Sequence, residues 1–190
     1  RDDGPWQKLL DTLREAVRQQ AGRHPAPSAG SLDTQTVKGT EVGGERGYDG
    51  NKKVNGRKRH IIVDTLGLLL VVMVSAAAAD DGTTAPHVLA HLDAHTHPRL
   101  QTLWADQKYN NRTLDCWLAQ QGVGYRIEVG ERPVGAKGFV LLHRRWVVER
   151  TFAWLGRSRR NSKDYERLPA SSESASIIGS ATWLLRPQKN

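Results

Sequence analysis

Two strand-like segments separated by a short turn constrain the fold of this 190-residue chain most strongly. Residues 57–64 have the composition of a strand, residues 65–67 that of a turn, and residues 68–74 that of a second, buried strand. Further along the chain, short apolar runs alternate with helical patterns. Because a sheet must bury its apolar face against another layer, this mixed order predicts an α/β fold in which helices cover the sheet.

The periodicity of the apolar residues places the other elements. It predicts helices over residues 5–20, 81–94, 111–121, 144–160 and 171–185, and further strands over residues 31–38, 102–105 and 125–129. Residues 23–30 are rich in proline and small residues, which is typical of a linker. Residues 39–55 are glycine-rich and charged without an apolar period, so they predict a long loop.

The composition restricts the partners and the compartment. A net charge of +8 and an isoelectric point near 9.9 favour a polyanionic partner such as nucleic acid. The longest apolar stretch, residues 66–79, contains Gly67 and Ser75 and is too short to cross a bilayer. A single cysteine, Cys116, excludes an internal disulfide and suits a reducing cytoplasm. No methionine opens the chain, so we expect a fragment or a processed product.

Three acidic residues lie where burial should disfavour a charge. Asp33 falls within a predicted strand, Asp106 closes another, and Glu149 follows an apolar run in a predicted helix. Carboxylates at strand ends and on a covering helix can converge and hold two hard divalent cations roughly 4 Å apart. The alternative for each is a surface carboxylate, which for Glu149 would pair with an arginine at helical spacing. Asp64 competes with Asp33, but its setting is that of a turn-forming aspartate.

Basic residues form two clusters beside these acids in the sequence. The first runs from the glycine-rich loop into the next strand and comprises Lys52, Lys53, Arg57, Lys58 and Arg59. The second lies on the long helix before the tail and just beyond it, and comprises Arg144, Arg145, Arg150, Arg157, Arg159, Arg160 and Lys163. Such groups neutralise phosphates, so we expect both clusters to bind DNA in a salt-dependent way. The alternative for an isolated cluster is a solvated surface.

Several segments together resemble one known family. They are Leu32-Asp33-Thr34-Gln35-Thr36-Val37-Lys38, residues 48–67, Trp104-Ala105-Asp106, and the long block at residues 144–155, which is followed by Lys163-Asp164-Tyr165-Glu166. These segments resemble the successive motifs of the insertion-sequence-five family of DDE transposases. The block at residues 144–155 is long and specific, so chance is a poor explanation of the match.

The resemblance implies an RNase H-like fold, a mixed sheet flanked by helices. It implies that Asp33, Asp106 and Glu149 are the catalytic and metal-binding residues, with two Mg²⁺ or Mn²⁺ ions. The expected reaction is cleavage at transposon ends followed by transfer of the freed 3′-hydroxyl into target DNA. The expected partner is double-stranded DNA, bound by a homodimer in a bacterial cytoplasm, in association with the nucleoid and not with a membrane.

The resemblance also divides the chain and leaves alternatives. Residues 1–30 would be the remnant of an N-terminal DNA-binding region and its linker, and residues 31–190 the catalytic domain. The chain departs from the family at Gln107 and Lys108, where two glycines usually precede a tyrosine. Around the last acid, Arg145 and Glu149 match the signature of the wider superfamily, whereas its tyrosine and lysine are replaced. A metal-dependent nuclease that does not join strands and a non-catalytic DNA-binding module are the alternative functions.

Overall fold

The computed structural model describes residues 4–92, 96–130 and 145–185. In these parts of the chain the helices are α1 (Pro5–Gln20), α2 (Asp81–Leu89), α3 (Arg112–Gln121), α4 (Trp146–Gly156), α5 (Arg159–Ser162) and α6 (Pro169–Leu184). The strands are β1 (Ala29–Lys38), β2 (Gly47–Asp49), β3 (Val54–Asp64), β4 (Leu69–Ala76), β5 (Thr102–Ala105) and β6 (Arg126–Val129). Arg144, which the sequence assigned to the second basic cluster, lies outside the described residues.

The strands form a mixed sheet with β3 near its middle. On one side β3 pairs antiparallel with β1, and β1 then pairs parallel with β5, which pairs parallel with β6. On its other side β3 pairs antiparallel with β2 and then with β4. The predicted α/β architecture, with helices covering a mixed sheet, is therefore confirmed.

Alternate residues of β3 contribute to two separate cores. Ile61 and Val63 belong to a cluster that includes side chains of α1, α4 and α6. Ile62, between them, belongs to a second cluster that includes side chains of α2 and α3. Because successive side chains of a strand point to opposite faces, the two clusters lie on opposite faces of the sheet. A strand in this position is buried on both faces, and β3 is buried from Gly56 to its end.

Helix α1 has the predicted bounds and packs onto the sheet. Its Leu10 is fully buried in the first core cluster, and its buried Arg18 forms an ion pair with Asp64. Asp64 also accepts hydrogen bonds from the backbone N–H groups of Leu66 and Leu68, at 2.8 and 2.9 Å. The prediction that Asp64 is a turn-forming aspartate is confirmed.

Three predicted elements differ clearly from the observed ones. The helix predicted over residues 81–94 is shorter, since α2 ends at Leu89. The predicted loop contains β2, because Asp49 accepts hydrogen bonds from the N–H groups of Asn51 and Lys52, both at 3.0 Å, and so closes a tight turn into β3. The helix predicted over residues 144–160 is divided into α4 and α5 by Ser158, whose backbone is extended. The buried Asn161 fixes this break, since its side chain donates to the carbonyl of Ala175 in α6.

None of the helices in the described parts of the chain is both long and apolar enough to cross a membrane.

Candidate active site

Asp33 and Asp106 are neighbours on two parallel strands. The register of β1 with β5 pairs Gly30 with Leu103 and Ser31 with Trp104. Asp33 and Asp106 each lie two residues beyond the Ser31–Trp104 pair, and their charges act on each other. Each acid therefore lies on the same face of the sheet as its strand neighbour two residues earlier. Asp106 comes directly after β5 and caps the 3₁₀ turn Gln107–Tyr109 by accepting a hydrogen bond from the N–H of Lys108 at 3.0 Å. The sequence predicts both acids as candidate site residues, and the strand arrangement places them close together.

The environment of Asp33 opposes its ionisation. Burial raises the pKa of the Asp33 carboxyl above its ordinary value, and the negative charge of Asp106 raises this pKa further. The N–H of Thr34, which donates to Asp33 Oδ1 at 2.8 Å, and the positive charges of Arg145 and Lys52 act in the opposite direction. Because Asp33 is largely buried and is repelled by the charge of Asp106, a nearby positive charge stabilises its ionised form.

Helix α4 supplies part of that charge. Arg145, at the N-terminal cap of α4, places its Nη2 atom 3.2 Å from Asp33 Oδ2, and both side chains are largely buried. Glu149 lies one helical turn further along α4 and is exposed. Among the described residues, no three His, Cys, Asp or Glu side chains are grouped closely enough to hold a metal ion. The structure thus assembles Asp33, Asp106 and Arg145, whereas convergence of Glu149 with the two aspartates stays a prediction.

A buried chain of hydrogen bonds lies on the opposite face of β1 from Asp33. Tyr109 Oη is 2.9 Å from Thr34 Oγ1, Thr34 Oγ1 is 3.0 Å from His60 Nδ1, and His60 Nε2 is 2.8 Å from Ser75 Oγ. These hydrogen bonds connect the turn that begins at Asp106 to β1, β3 and β4. Burial lowers the pKa of His60 to about 4, so the ring is neutral at neutral pH.

A second polar contact fastens the same turn to α2. Asp81 receives Lys58 Nζ at 2.9 Å and Lys108 Nζ at 2.8 Å, one on each carboxylate oxygen. Burial acts to raise the pKa of Asp81, but the hydrogen bonds from Lys108 and Lys58 outweigh burial and hold this pKa below its ordinary value. Neither polar network could be predicted from the sequence, because their members are far apart in the chain and carry no shared spacing.

The first basic cluster is mostly internal, which corrects part of the predicted DNA-binding set. Arg57, Lys58 and Arg59 are 3%, 8% and 1% exposed. Their donors are used by carboxylates or main-chain carbonyls of Glu45, Ala79, Asp81, Asn161, Asp164, Glu166 and Arg167. These three cations hold loops and helices to the sheet and offer little charge to a phosphate. Only Lys52 and Lys53 of this cluster are exposed.

The second basic cluster divides along α4. Arg145 is bound to Asp33, and Arg150 is held between the rings of Trp146 and Trp154, at 4.2 and 4.5 Å from their centroids. Arg150 also donates to the carbonyl of Leu66 at 2.9 Å. In contrast, Arg157, Arg159, Arg160 and Lys163 are exposed. The part of this second cluster that can contact a polyanion therefore lies at the C-terminal end of α4 and along α5.

Comparisons with known proteins identify the family of the chain. A family model described as the transposase DDE domain matches residues 24–184. The chain is 32% identical over 123 residues to a Burkholderia cepacia protein named "Putative transposase for insertion sequence element IS402", a match that covers 59% of this chain and 54% of that protein. The chain therefore spans about half the length of this curated relative.

A solved structure has the same fold at low identity. It is a chain of the simian T-cell lymphotropic virus intasome in complex with the PP2A regulatory subunit B56 gamma, with a TM-score of 0.51 and 14% sequence identity. The match covers 87% of this chain and 57% of that one. The mixed sheet, the flanking helices and this neighbour define an RNase H-like protein, which confirms the predicted fold class. With the family match over most of its length, the chain belongs to the transposase DDE domain family.

Proposed function

We propose that this chain is the catalytic domain of an insertion-sequence DNA transposase, which cleaves DNA at transposon ends and joins the freed 3′-hydroxyl to target DNA. Asp33, Asp106 and Glu149 are its catalytic carboxylates. The observation that carries the proposal is the position of Asp33 in β1 and of Asp106 directly after the parallel strand β5, each two residues beyond the paired Ser31 and Trp104, beside the helix that bears Glu149. Membership of the transposase DDE domain family supports the same assignment.

The proposed carboxylates suit a hard divalent cation. Aspartate oxygens are the ligands that Mg²⁺ and Mn²⁺ prefer, and the raised pKa of Asp33 reflects a site that gains from added positive charge. We propose that Asp33, Asp106 and Glu149 hold two such ions, which when bound supply activation of the attacking water or 3′-hydroxyl and stabilisation of the leaving oxygen. Glu149 is exposed on α4, so its carboxylate is not held within the packed core.

The basic residues near the acids have distinct proposed roles. Arg145 offsets the repulsion between the carboxylates and anchors the start of α4 to β1. The exposed Lys52 and Lys53, on the turn before β3, contact the DNA backbone close to Asp33, and Arg157 and Lys163 contact it further away. Arg150 is braced by two tryptophans and supports the helix that carries Glu149.

The proposed partner is double-stranded DNA, and the acting form is a homodimer that pairs two transposon ends. The net charge of +8 supports a polyanionic partner. The setting we propose is the bacterial cytoplasm, on nucleoid DNA, as would suit a relative of a Burkholderia cepacia insertion-sequence protein.

Cleavage of an end-containing duplex by carboxylate variants tests the proposal. Asp33→Asn, Asp106→Asn and Glu149→Gln should each lower Mg²⁺- or Mn²⁺-dependent strand cleavage by about 100-fold or more, because each removes a charge that stabilises the reaction. DNA affinity measured without metal should stay within a few-fold of the wild type. Asp115→Asn, which removes an exposed carboxylate on α3, is the matched control and should retain cleavage.

The products separate the proposal from its alternatives. Retained cleavage in one variant removes that residue from the catalytic set. Cut DNA without joined products indicates a nuclease of the same fold. Salt-sensitive DNA binding without metal-dependent cleavage in the wild-type chain indicates a binding module. Asp64→Asn is unsuitable as the control, since Asp64 is fully buried in an ion pair with Arg18 and its loss would affect folding.

A further inference from the structure

An open groove of about 610 Å³ separates the C-terminal end of α4 and helix α5 from helix α6. One wall carries Arg157, Arg159 and Arg160, and the other carries hydroxyl-bearing and small side chains of α6, among them Ser171 and Ser174. None of these residues belongs to the cluster of Asp33, Asp106 and Arg145. The groove is therefore a second concave surface, built by helices that cover the sheet.

The two walls of the groove differ in charge. Arg160 pairs with Glu166 at 2.8 Å, whereas no ion pair occupies Arg157 or Arg159 among the described residues. The sequence of α6 contains one charged residue, Glu173, which is 7% exposed and accepts a hydrogen bond from the N–H of Val74 at 3.0 Å. The α6 wall therefore offers hydroxyl groups without a negative charge, opposite two arginines that are free to bind an anion.

The groove has a braced floor. Trp154 of α4 and Trp183 of α6 line it and stack on each other, with ring centroids 3.8 Å apart and planes inclined by 17°. The guanidinium of Arg150 lies on Trp154 at 4.5 Å and on Trp146 at 4.2 Å. This ladder joins α6 to α4, so the spacing of the two walls is set before any ligand binds.

The groove stands at a defined distance from the acids along one helix. Arg145 caps the N-terminus of α4 and contacts Asp33, while Arg157 caps the C-terminus of α4 and lines the groove. A rise of 1.5 Å per residue separates these two caps by about 18 Å along the helix axis. For a duplex whose axis runs along α4, a rise of about 3.4 Å per base pair makes that distance roughly five base pairs.

We propose that this groove binds the phosphodiester backbone of DNA, roughly five base pairs from the position processed at Asp33 and Asp106. Arg157 and Arg159 bind phosphate oxygens, and the hydroxyl of Ser171 donates a hydrogen bond to the same backbone, whereas the hydroxyl of Ser174 already donates to the carbonyl of Ala170 at 2.9 Å. The register with the acids rests on the proposed function, whereas binding of DNA by the groove does not. DNA suits the charge of this groove, because Arg157 and Arg159 are exposed on a chain of net charge +8. The lining also includes Trp154, Ile178 and Trp183, so an acidic protein segment that uses these apolar side chains is the competing occupant, and its mark is an unchanged salt slope for DNA in Arg157→Gln/Arg159→Gln.

Salt-dependent binding of a fluorescein-labelled, random-sequence DNA duplex in EDTA tests the groove. The double variant Arg157→Gln/Arg159→Gln should weaken DNA binding by roughly tenfold or more. It should also reduce the slope of log K against log salt by about 2, since each phosphate contact that is lost lowers the number of counterions released on binding. Arg157→Lys/Arg159→Lys should restore most of the slope. The matched control is Arg112→Gln/Arg126→Gln, which removes the same charge from exposed positions on α3 and β6 and should change the slope less.

A wild-type slope in Arg157→Gln/Arg159→Gln overturns the proposal, as does an equal loss of slope in the control, which would reduce the effect to net charge. Loss of self-association with an unchanged slope, measured by sedimentation, also overturns it and assigns the groove to a second copy of the chain. Because the measurement is made in EDTA, it does not depend on the carboxylates. Failure of all three variants, Asp33→Asn, Asp106→Asn and Glu149→Gln, to lower cleavage would therefore overturn the proposed function without changing the salt slope.

The distance to the acids has its own test. Single methylphosphonate substitutions, which neutralise one phosphate each, should weaken wild-type binding most at roughly five base pairs from the cleaved bond. The same substitution should have little further effect on Arg157→Gln/Arg159→Gln. Sensitivity confined to the phosphates next to the cleaved bond contradicts the proposed register.

Discussion

Strand β3 and the segment that joins α4 to α5 both carry runs of basic residues, yet they use them in opposite ways. In β3, Arg57 and Arg59 are 3% and 1% exposed and are bound to carboxylate and carbonyl oxygens. Beyond α4, Arg157 and Arg159 are exposed and line a groove. The same residue type stabilises the fold in one region and carries an exposed surface charge in the other.

The difference follows from the layers around each element. A strand that is paired on both edges and covered on both faces sends every side chain into protein, so a cation there must find acceptors inside. Arg57 and Arg59 point to one face of the sheet and contact the α5 and α6 region, whereas Lys58, between them, points to the other face and contacts α2. A helix on the sheet buries only one face, and its end is open to solvent. The net charge of +8 therefore overstates the charge that DNA can meet.

The largest effect is expected at Arg57. Arg57→Ala should lower the free energy of unfolding by about 3–5 kcal/mol, because it leaves Asp164 as an unpaired buried charge and strips several carbonyls of their donor. Urea unfolding at neutral pH measures the change. Lys52→Ala, an exposed member of the same predicted cluster, is the control and should change the free energy by about 0.5 kcal/mol or less. A mild effect of Arg57→Ala would show that β3 tolerates solvent at its basic end.

The next effect is a pH dependence that originates in the same strand. The folded-state pKa of His60 is lowered to about 4, so between about pH 4 and 6.5 the unfolded chain binds the extra proton. The stabilisation by neutral His60 is complete above about pH 6.5 and is lost as the pH falls towards 4, a change of about 3 kcal/mol.

Unfolding free energies of the wild type and of His60→Gln across this pH range check the prediction. The glutamine keeps polar contact with Thr34 and Ser75 but does not titrate, so its curve should be flatter than that of the wild type by about the same amount. Parallel curves would mean that His60 is protonated in the folded chain or that other groups carry the acid sensitivity. Asp81 and Lys58, which act on the His60 ring in opposite directions, are unchanged in both proteins.

The smallest effect on stability is expected in the outward-facing region. Arg157→Gln/Arg159→Gln should change the free energy of unfolding by about 0.5 kcal/mol or less, because both side chains are exposed. Thermal and urea unfolding measure this beside Arg57→Ala. A loss comparable to that of Arg57→Ala would remove the contrast between the two regions and would make the binding experiment on the groove a test of folding.

Much of the framework could be predicted from the sequence, because it depends on local patterns. The bounds of α1, the strand at residues 102–105 that ends beside Asp106, and the turn role of Asp64 follow from periodicity, strand composition and turn chemistry. The long block ending at Leu155 carried the family resemblance, and the family match supports it. Asp33, Asp106 and Glu149 were candidates because charged residues stand out in apolar segments.

Only the tertiary structure decided which of these residues meet. Strand pairing placed Asp33 beside Asp106, and it turned Arg57, Lys58 and Arg59 inward, since a sequence shows the period of a strand but not how many faces are covered. The chain from Tyr109 through Thr34 and His60 to Ser75 joins residues from four separate segments. Burial and hydrogen bonding between such distant residues arise from packing, which no local pattern of residue types encodes.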